Sequence, residues 1–231
     1  MSGTTTSSVA QVSGAPARAI RPAAAIPGAD ELFRSLYTGF DLSKGASLAI
    51  CSAISGEGKT TISLGLAVAM AHDLPDRRIL VIETDLWRPV LASDFALEPE
   101  PGLVDCLLGR ESLAAALRPT ALRNLFLLVA GKAGPNAQQL LRSARMPELL
   151  AELKKDFDLL IVDTPAALAH SEVALVARMV DEAVFVVRTG VTPSGQLQTA
   201  LDRLQSAKVR GVVLNDARSS VPELIRRVVG R

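Results

Sequence analysis

The segment from Leu48 to Thr61, LAICSAISGEGKTT, constrains the fold more than any other part of the chain. It begins as an apolar strand, passes through a loop with two glycines, and continues with apolar residues at helical spacing. This order is typical of a P-loop, in which backbone N–H groups and the start of a helix bind phosphate. Ala53 stands where the first glycine of the usual motif would be. We therefore expect this chain to bind ATP or GTP.

Each residue type in the loop has a chemical reason. Gly56 and Gly58 let the backbone turn so that successive N–H groups point at phosphate oxygens. Lys59 is expected to reach the β- and γ-phosphates, and the Thr60 hydroxyl is expected to bind Mg²⁺. An ordinary strand–helix turn is the alternative interpretation, which the apolar residues on both sides disfavour. The residues predicted to contact nucleotide are Ser55, Gly56, Glu57, Gly58, Lys59, Thr60 and Thr61.

Two further apolar segments lead into acidic residues. LLIVDTP reaches Asp163, and ILVIETDLWRP carries Glu83 and Asp85 on either side of Thr84. An aspartate after a second apolar strand is the usual Mg²⁺-holding residue of nucleotide enzymes. Because alternate residues of a strand face the same way, Glu83 and Asp85 are expected to converge on one metal ion or one nucleophile. A solvated strand end would explain either segment alone, but three suitable strand ends at one sheet edge favour a functional site.

Apolar and helical segments alternate through the rest of the chain. Unbroken apolar strands suit a parallel sheet that is covered on both faces, and the alternation predicts right-handed βαβ crossovers. We therefore predict an α/β fold with a doubly wound, mostly parallel sheet, helices on both faces, and a ligand crevice at the carboxyl ends of the strands. The predicted strands are 47–52, 79–84, 125–130, 158–163, 183–188 and 210–215. The predicted helices include one that begins at Lys59, the segment MPELLAELKK, and one after Pro193.

The first 29 residues differ in composition from the rest of the chain. Residues 1–29 are rich in Ser, Thr, Ala, Gly and Pro, and too few of them are apolar to offset the entropy of ordering, which predicts a disordered tail. Residues 30–231 are predicted to form one P-loop ATPase domain. Within it, the segment from Asp30 to Phe40 predicts a helix with Asp30 as its N-cap.

Charge and hydropathy bear on the protein's partners and location. A net charge of +1 at pH 7 gives no electrostatic reason to expect a nucleic acid partner. The sequence shows neither an uncharged apolar stretch that could span a membrane nor a signal peptide. We therefore expect a cytoplasmic protein.

In the order and spacing of these motifs, the chain resembles the bacterial tyrosine kinases of capsule and exopolysaccharide systems, which are deviant P-loop ATPases. The resemblance runs from about Asp30 to Asp216. SGEGKT at 55–60 and LLIVDTP match two family motifs, and the segment 83–89 compares with an Asp-x-Asp-x-Arg signature followed by proline. Weaker similarities lie at 102–109, 130–141, 185–192 and 211–216.

The resemblance implies ATP-dependent phosphorylation of tyrosine, with ATP and Mg²⁺ as cofactors. Lys59 would stabilise the transferring phosphoryl group, and the paired carboxylates would position the metal and accept the tyrosine proton. The implied catalytic residues are Lys59, Glu83, Asp85 and Asp163, and the implied metal ligands are Thr60, Asp85 and Asp163. The implied role is regulation of exopolysaccharide or capsule polymerisation or export with a separate membrane co-polymerase, which would hold this chain peripherally at the inner membrane.

The signature segment departs from the family pattern. Glu83 replaces the first aspartate, and Trp87 replaces the arginine, although Arg88 is adjacent. Glutamate keeps the charge but adds a methylene, and a displacement near 1 Å can lower a rate about a hundredfold.

Two assembly features of the family are also altered. Its members usually end in a cluster of autophosphorylated tyrosines, whereas the only tyrosine here is Tyr37. They often carry a Glu-x-x-Arg-x-x-Arg helix that takes part in ring assembly, which Glu31 and Arg34 match but Tyr37 does not. A homo-oligomer through the 30–40 helix and an ordinary amphipathic helix therefore both remain open.

Two functional classes fit these observations. The first is a kinase that acts on a separate protein. The second is a non-kinase ATPase switch or scaffold of the partitioning-ATPase type, which docks on a membrane partner without phosphorylating protein. Partitioning ATPases carry an additional lysine early in the loop, which Ser55, Gly56 and Glu57 do not supply. We favour the kinase, although the missing tyrosine cluster fits either a kinase or a scaffold.

Overall fold

The computed structural model of the protein describes residues 29–38 and 41–216. The predicted N-terminal tail, apart from its last residue, and the segment after Asp216 lie outside these ranges. No helix in the described ranges has the length and apolar character needed to cross a bilayer.

Strands and helices alternate through the described residues, as predicted. The strands are β1 (Ala46–Ser52), β2 (Ile79–Glu83), β3 (Arg118–Pro119), β4 (Leu125–Leu128), β5 (Leu159–Asp163), β6 (Glu182–Arg188) and β7 (Val209–Asn215). The helices are α1 (Ala29–Tyr37), α2 (Lys59–Asp73), α3 (Leu91–Asp94), α4 (Leu103–Leu107), α5 (Leu113–Ala116), α6 (Ala137–Arg142), α7 (Arg145–Asp156), α8 (Glu172–Met179) and α9 (Ser194–Arg203). A single 3₁₀ turn at Leu42–Lys44 leads into β1.

The strands described above form one sheet, in the order β3-β4-β2-β5-β1-β6-β7. Neighbours are parallel except β3 and β4, which pair antiparallel. The predicted doubly wound, mostly parallel fold is therefore confirmed. Each predicted strand was found with its ends within two residues, whereas β3 was missed because two residues, one of them proline, carry no strand pattern.

The sheet is covered on both faces by apolar helices. Every residue of β1, β2 and β5 is buried, which explains why these strands read as continuous apolar runs. Leu48 and Ile50 face the core beneath α1, α2 and α3, whereas Ala49 and Cys51 face the core on the opposite side. Alternate residues of one strand thus supply both cores.

Helix α1 packs on α2 and adds to the first of these cores. It begins at Ala29, so Asp30 lies within the helix and is not its N-cap, contrary to the prediction. Phe33 is buried against Gly65 of α2, where a Cβ would lie 2.3 Å from the tip of the phenylalanine ring. Arg34 Nε also donates to Asp73 Oδ2 at 2.7 Å. A glycine in the middle of α2 is therefore explained by the close approach of α1.

This contact predicts opposite outcomes for two glycine-to-alanine changes in helices. Gly65→Ala should lower the free energy of unfolding by about 1–3 kcal/mol, because the new methyl group overpacks the interface and displaces α1. Gly195→Ala in α9, where an added Cβ meets no atom within 4 Å, should instead be neutral or stabilising by up to ~1 kcal/mol. Urea denaturation of both variants gives the comparison. Equal stability of the two variants would contradict the proposed packing constraint.

Candidate nucleotide site

The three sequence motifs meet at one edge of the sheet. Strand β5 lies between β1 and β2, so that Asp163 is in register with Ile50 on one side and with Glu83 on the other. A cleft of about 380 Å³ opens over these strand ends. Its lining includes every residue that the sequence predicted for the site except Glu57: Ser55, Gly56, Gly58, Lys59, Thr60, Thr61, Glu83, Asp85 and Asp163.

The loop between β1 and α2 has the backbone shape that phosphate binding requires. Gly56 and Gly58 have φ of +83° and +94°, in the region that favours glycine. Gly58 is the N-cap of the fifteen-residue helix α2. The first N–H groups of that helix, at the positive end of its dipole, therefore border the cleft. A Cβ on Gly58 would lie 2.1 Å from Asn215 Nδ2, so any other residue would strain the backbone at this φ and displace the Asn215 side chain.

Lys59 is held at the base of the cleft. Its side chain is largely buried, and Nζ donates to Ser52 Oγ at 2.9 Å. Ser52 Oγ in turn donates to the Ile54 carbonyl oxygen at 2.8 Å. The chain of contacts fixes the lysine stem against the end of β1 while its ammonium group lines the space where phosphate oxygens would bind.

Asp163 is a buried carboxylate of the cleft and contacts two hydroxyl groups. Thr60 Oγ1 donates to Oδ2 at 2.7 Å, and Ser63 Oγ donates to Oδ1 at 3.1 Å. Burial raises the pKa of Asp163 to about 6, against the opposing effects of the Thr60 hydrogen bond and the charge of Lys59. Ser63 was not predicted, but it lies one helical turn after Lys59 and so shares its face of α2.

Oxygen donors of this kind fit Mg²⁺. The Thr60 hydroxyl and the Asp163 carboxylate are hard ligands close enough for one cation to contact both, and phosphate and water complete such sites. The described residues hold no cluster of three or more His, Cys, Asp or Glu side chains suited to a metal. Mg²⁺ held by Thr60 and Asp163 would need further oxygen ligands from phosphate and water.

Glu83 and Asp85 both line the cleft, but they make different contacts. The Glu83 carboxylate is buried and accepts backbone N–H groups from Val90 at 2.6 Å, Leu91 at 2.9 Å and Ala130 at 3.0 Å. Burial raises the pKa of Glu83, although these hydrogen bonds act in the opposite direction. Glu83 thus joins the start of α3 to the end of β4. Strand β2 ends at Glu83, so the alternation of side chains that motivated the pair does not extend to Asp85.

Asp85 lies in the turn that follows β2 and lines the cleft. Its Oδ1 accepts the backbone N–H groups of Trp87 at 3.3 Å and Arg88 at 3.0 Å. Arg88 lines the cleft, whereas Trp87 stacks on His170 with the ring centroids 3.9 Å apart. Arg88 therefore places a positive charge at the cleft, one position after that of the signature arginine. The stack could not be predicted from local sequence patterns, because only the fold brings Trp87 and His170 together.

Glu57 does not line the cleft with its side chain. The residue is fully buried, and its carboxylate accepts the backbone N–H of Ile54 at 2.6 Å. The carboxylate is therefore turned into the protein, and a nucleotide contact through the backbone N–H of Glu57 stays a prediction.

Comparison with known proteins places this chain among kinases and ATPases. A family model described as an AAA domain matches residues 46–208. The tyrosine-protein kinase YwqD of Bacillus subtilis is 33% identical over 176 residues, which cover 75% of this chain and 73% of that protein. The tyrosine-protein kinase CpsD of Streptococcus pneumoniae is 33% identical over 85% of this chain and 88% of its own length. The chain spans only 28% of the tyrosine-protein kinase ptk of Acinetobacter johnsonii, at 31% identity.

Solved structures give the same picture. The kinase domain of the Escherichia coli tyrosine kinase ETK has a TM-score of 0.73 at 28% identity, and the superposition covers 84% of this chain and 79% of that one. The VpsO kinase domain has a TM-score of 0.75 at 30% identity and covers 82% of this chain and 93% of its own. The septum site-determining protein MinD of Pyrococcus horikoshii, complexed with Mg-ADP, shares the fold with a TM-score of 0.61 at 24% identity, over 80% of this chain and 77% of its own.

The raised pKa of Asp163 predicts a pH dependence of stability. Its value of about 6 in the fold exceeds the value near 4 that an aspartate has in an unfolded chain, so the folded protein holds this proton more tightly. The contribution of Asp163 to the free energy of unfolding should be largest below about pH 4 and should fall as pH rises to about 6. Urea denaturation of the wild type and of Asp163→Asn across this range isolates that contribution. A wild-type advantage that grows with pH over the same interval would contradict the burial assigned to this carboxylate.

Proposed function

Because the chain belongs to the family of bacterial tyrosine-protein kinases, we propose that it uses Mg·ATP to phosphorylate tyrosine on a separate protein. One observation carries the proposal. The P-loop lysine, the Thr60–Asp163 contact and the Asp85 carboxylate all line a single cleft, so phosphate, metal and acceptor hydroxyl can meet there.

The described side chains suit a nucleoside triphosphate in this cleft. The loop N–H groups and the first turn of α2 would bind the phosphates, and Lys59 would contact the transferring group. Thr60 and Asp163 would hold Mg²⁺, which neutralises charge on the phosphate oxygens. Burial raises the pKa of Asp163, and a nearby cation would act in the opposite direction by favouring the ionised form. Arg88 adds a second positive charge on the open side of the cleft.

Asp85 is the carboxylate best placed to accept the proton of the acceptor. It is half-buried at the cleft wall, and its turn is fixed by the N–H groups of Trp87 and Arg88. Both oxygens of Glu83, by contrast, already accept backbone N–H groups, from Val90 and Ala130. We therefore assign general-base catalysis to Asp85 and positioning of the surrounding backbone to Glu83.

The acceptor is a separate protein. Tyr37 is the only tyrosine of the sequence, and its hydroxyl donates to Asp73 Oδ2 while its ring is half-buried against α2. Phosphoryl transfer needs an acceptor hydroxyl in line with the γ-phosphate, and this contact holds Tyr37 in another place. The chain is therefore not its own substrate at Tyr37.

The biological role proposed for this chain rests on its family membership and not on the geometry of the cleft. The chain would act in the cytoplasm on exopolysaccharide or capsule polymerisation or export, and it would reach the inner membrane through a separate co-polymerase. Assembly through α1 would use a surface on which Arg34 is already paired with Asp73. A ring contact at Arg34 would therefore have to share or replace that ion pair.

Lys59→Ala tests the nucleotide site. Removing the ammonium group should weaken Mg·ATP binding by about 10- to 100-fold, the scale of a lost hydrogen bond to a charged group, and should abolish most turnover. Stability should fall by no more than about 1 kcal/mol, because the lysine makes one hydrogen bond to Ser52. Isothermal titration calorimetry and urea denaturation measure the two effects. Lys208→Ala, which removes a lysine whose side chain is 74% exposed, is the matched control. Wild-type binding by the Lys59 variant would remove the basis of the proposed function.

Asp85→Asn tests the assignment of the general base. With a random Glu–Tyr copolymer as acceptor, the variant should transfer phosphate about 10²- to 10⁴-fold more slowly while its nucleotide affinity changes little. Asp94→Asn, an exposed aspartate of α3, should leave the rate unchanged. Phosphotyrosine and free phosphate are scored separately with radiolabelled ATP. Steady release of free phosphate without any phosphotyrosine would identify the ATPase switch or scaffold in place of the kinase.

A further inference from the structure

Glu57 places a buried carboxylate within a loop that binds anions. A negative charge there opposes phosphate binding, so its presence calls for a compensating role. The carboxylate is fully buried and accepts donors from two parts of the chain: Oε2 accepts the Ile54 N–H at 2.6 Å, and Oε1 accepts the Arg188 N–H at 3.3 Å and the Thr192 hydroxyl. Each of its oxygens is thus satisfied by protein groups.

The backbone of Glu57 is tied to the same region. Its carbonyl oxygen accepts Asn215 Nδ2 at 2.9 Å, at the end of β7. The Thr189 N–H donates to the Asn215 carbonyl oxygen at 3.0 Å, which joins the ends of β6 and β7. The phosphate-binding loop is therefore held from the side by the strand ends that lie farthest from Asp85 in the sheet order.

We propose that Glu57 is a positioning residue that holds the phosphate-binding loop in its binding shape before nucleotide arrives, through Thr192 and Arg188. The inference rests on the proposed nucleotide site and deepens it. Gly56 and Gly58 give the loop large conformational freedom, which would have to be lost on binding. A carboxylate that fixes Ile54 on one side and the β6–α9 turn on the other removes that freedom in advance, and preorganisation of this kind raises affinity.

The direction in which Glu57→Gln changes nucleotide affinity distinguishes positioning from simple electrostatic repulsion. Glu57→Gln removes a negative charge near the phosphates, which by itself would tighten nucleotide binding. It also puts an amide NH₂ donor where two sets of donors converge, so at least one hydrogen bond is lost. Positioning through those bonds predicts the opposite result, weaker binding by about tenfold, the scale of one lost charge-assisted hydrogen bond.

The experiment measures Mg·ADP binding by isothermal titration calorimetry with the full chain. Glu57→Gln and Thr192→Val are each expected to raise the dissociation constant about tenfold. Thr192→Ser, which keeps the hydroxyl, should stay within about twofold of the wild type. If Glu57→Gln does not fold, the valine and serine variants at position 192 decide the question alone. Unchanged or tighter binding by Glu57→Gln, or equal constants for Thr192→Val and Thr192→Ser, would overturn the inference.

A matched control removes the effect of general destabilisation. Glu172 is also a fully buried glutamate, and it pairs with Arg142 between α6 and α8, outside the residues that line the cleft. Glu172→Gln should lower the thermal stability without changing the dissociation constant. A comparable loss of affinity in this variant would show that loosening of the whole fold, and not the contact of Glu57, weakens binding.

Hydrogen exchange of the nucleotide-free protein provides a readout that does not depend on binding. The amides of Ile54 and Arg188 should exchange at least about tenfold faster in Glu57→Gln than in the wild type, because each donates to the carboxylate. Unchanged exchange would contradict the inference even if affinity fell. A wild-type chain that binds no nucleotide would instead refute the proposed function, and the exchange rates would still report whether Glu57 fixes the loop.

Discussion

The insertion of β5 between β1 and β2 is the constraint on which the site depends. In that order, the carboxyl end of one strand is flanked by the ends of the two others, so an aspartate over a hundred residues after the phosphate loop meets its threonine. Thr84 reinforces the join, since both its N–H and its hydroxyl donate to the Asp163 carbonyl oxygen at 2.8 Å. Without the parallel register, the three motifs would be separate strand ends of no chemical use.

The sequence predicted the fold and most of the cleft because both rest on local patterns. Buried parallel strands must be apolar throughout, and a P-loop must have its glycines and lysine at fixed spacing, so β1, α2 and Asp163 could be placed in advance. The direction of individual carboxylates could not be placed. Glu57 and Glu83 are turned towards backbone donors that come from β6, α3 and the segment after β4, and the identity of those donors depends on the complete fold.

In the segment 83–89, packing and positive charge are supplied by two neighbouring residues. The family pattern has an arginine where this chain has Trp87. In this structure Trp87 packs on His170, while the adjacent Arg88 faces the cleft. The Asp85 carboxylate accepts the backbone N–H groups of both residues and so fixes the turn that carries them.

The stack of Trp87 on His170 has a practical consequence. Trp87 is the only tryptophan of the chain, so the indole emission of the whole protein arises from one ring. That ring is half-buried, adjoins a residue that lines the cleft, and bridges the turn after β2 to the loop after β5. Ordinary fluorescence spectroscopy of the unlabelled protein therefore reports on the turn beside the cleft, at a single known position.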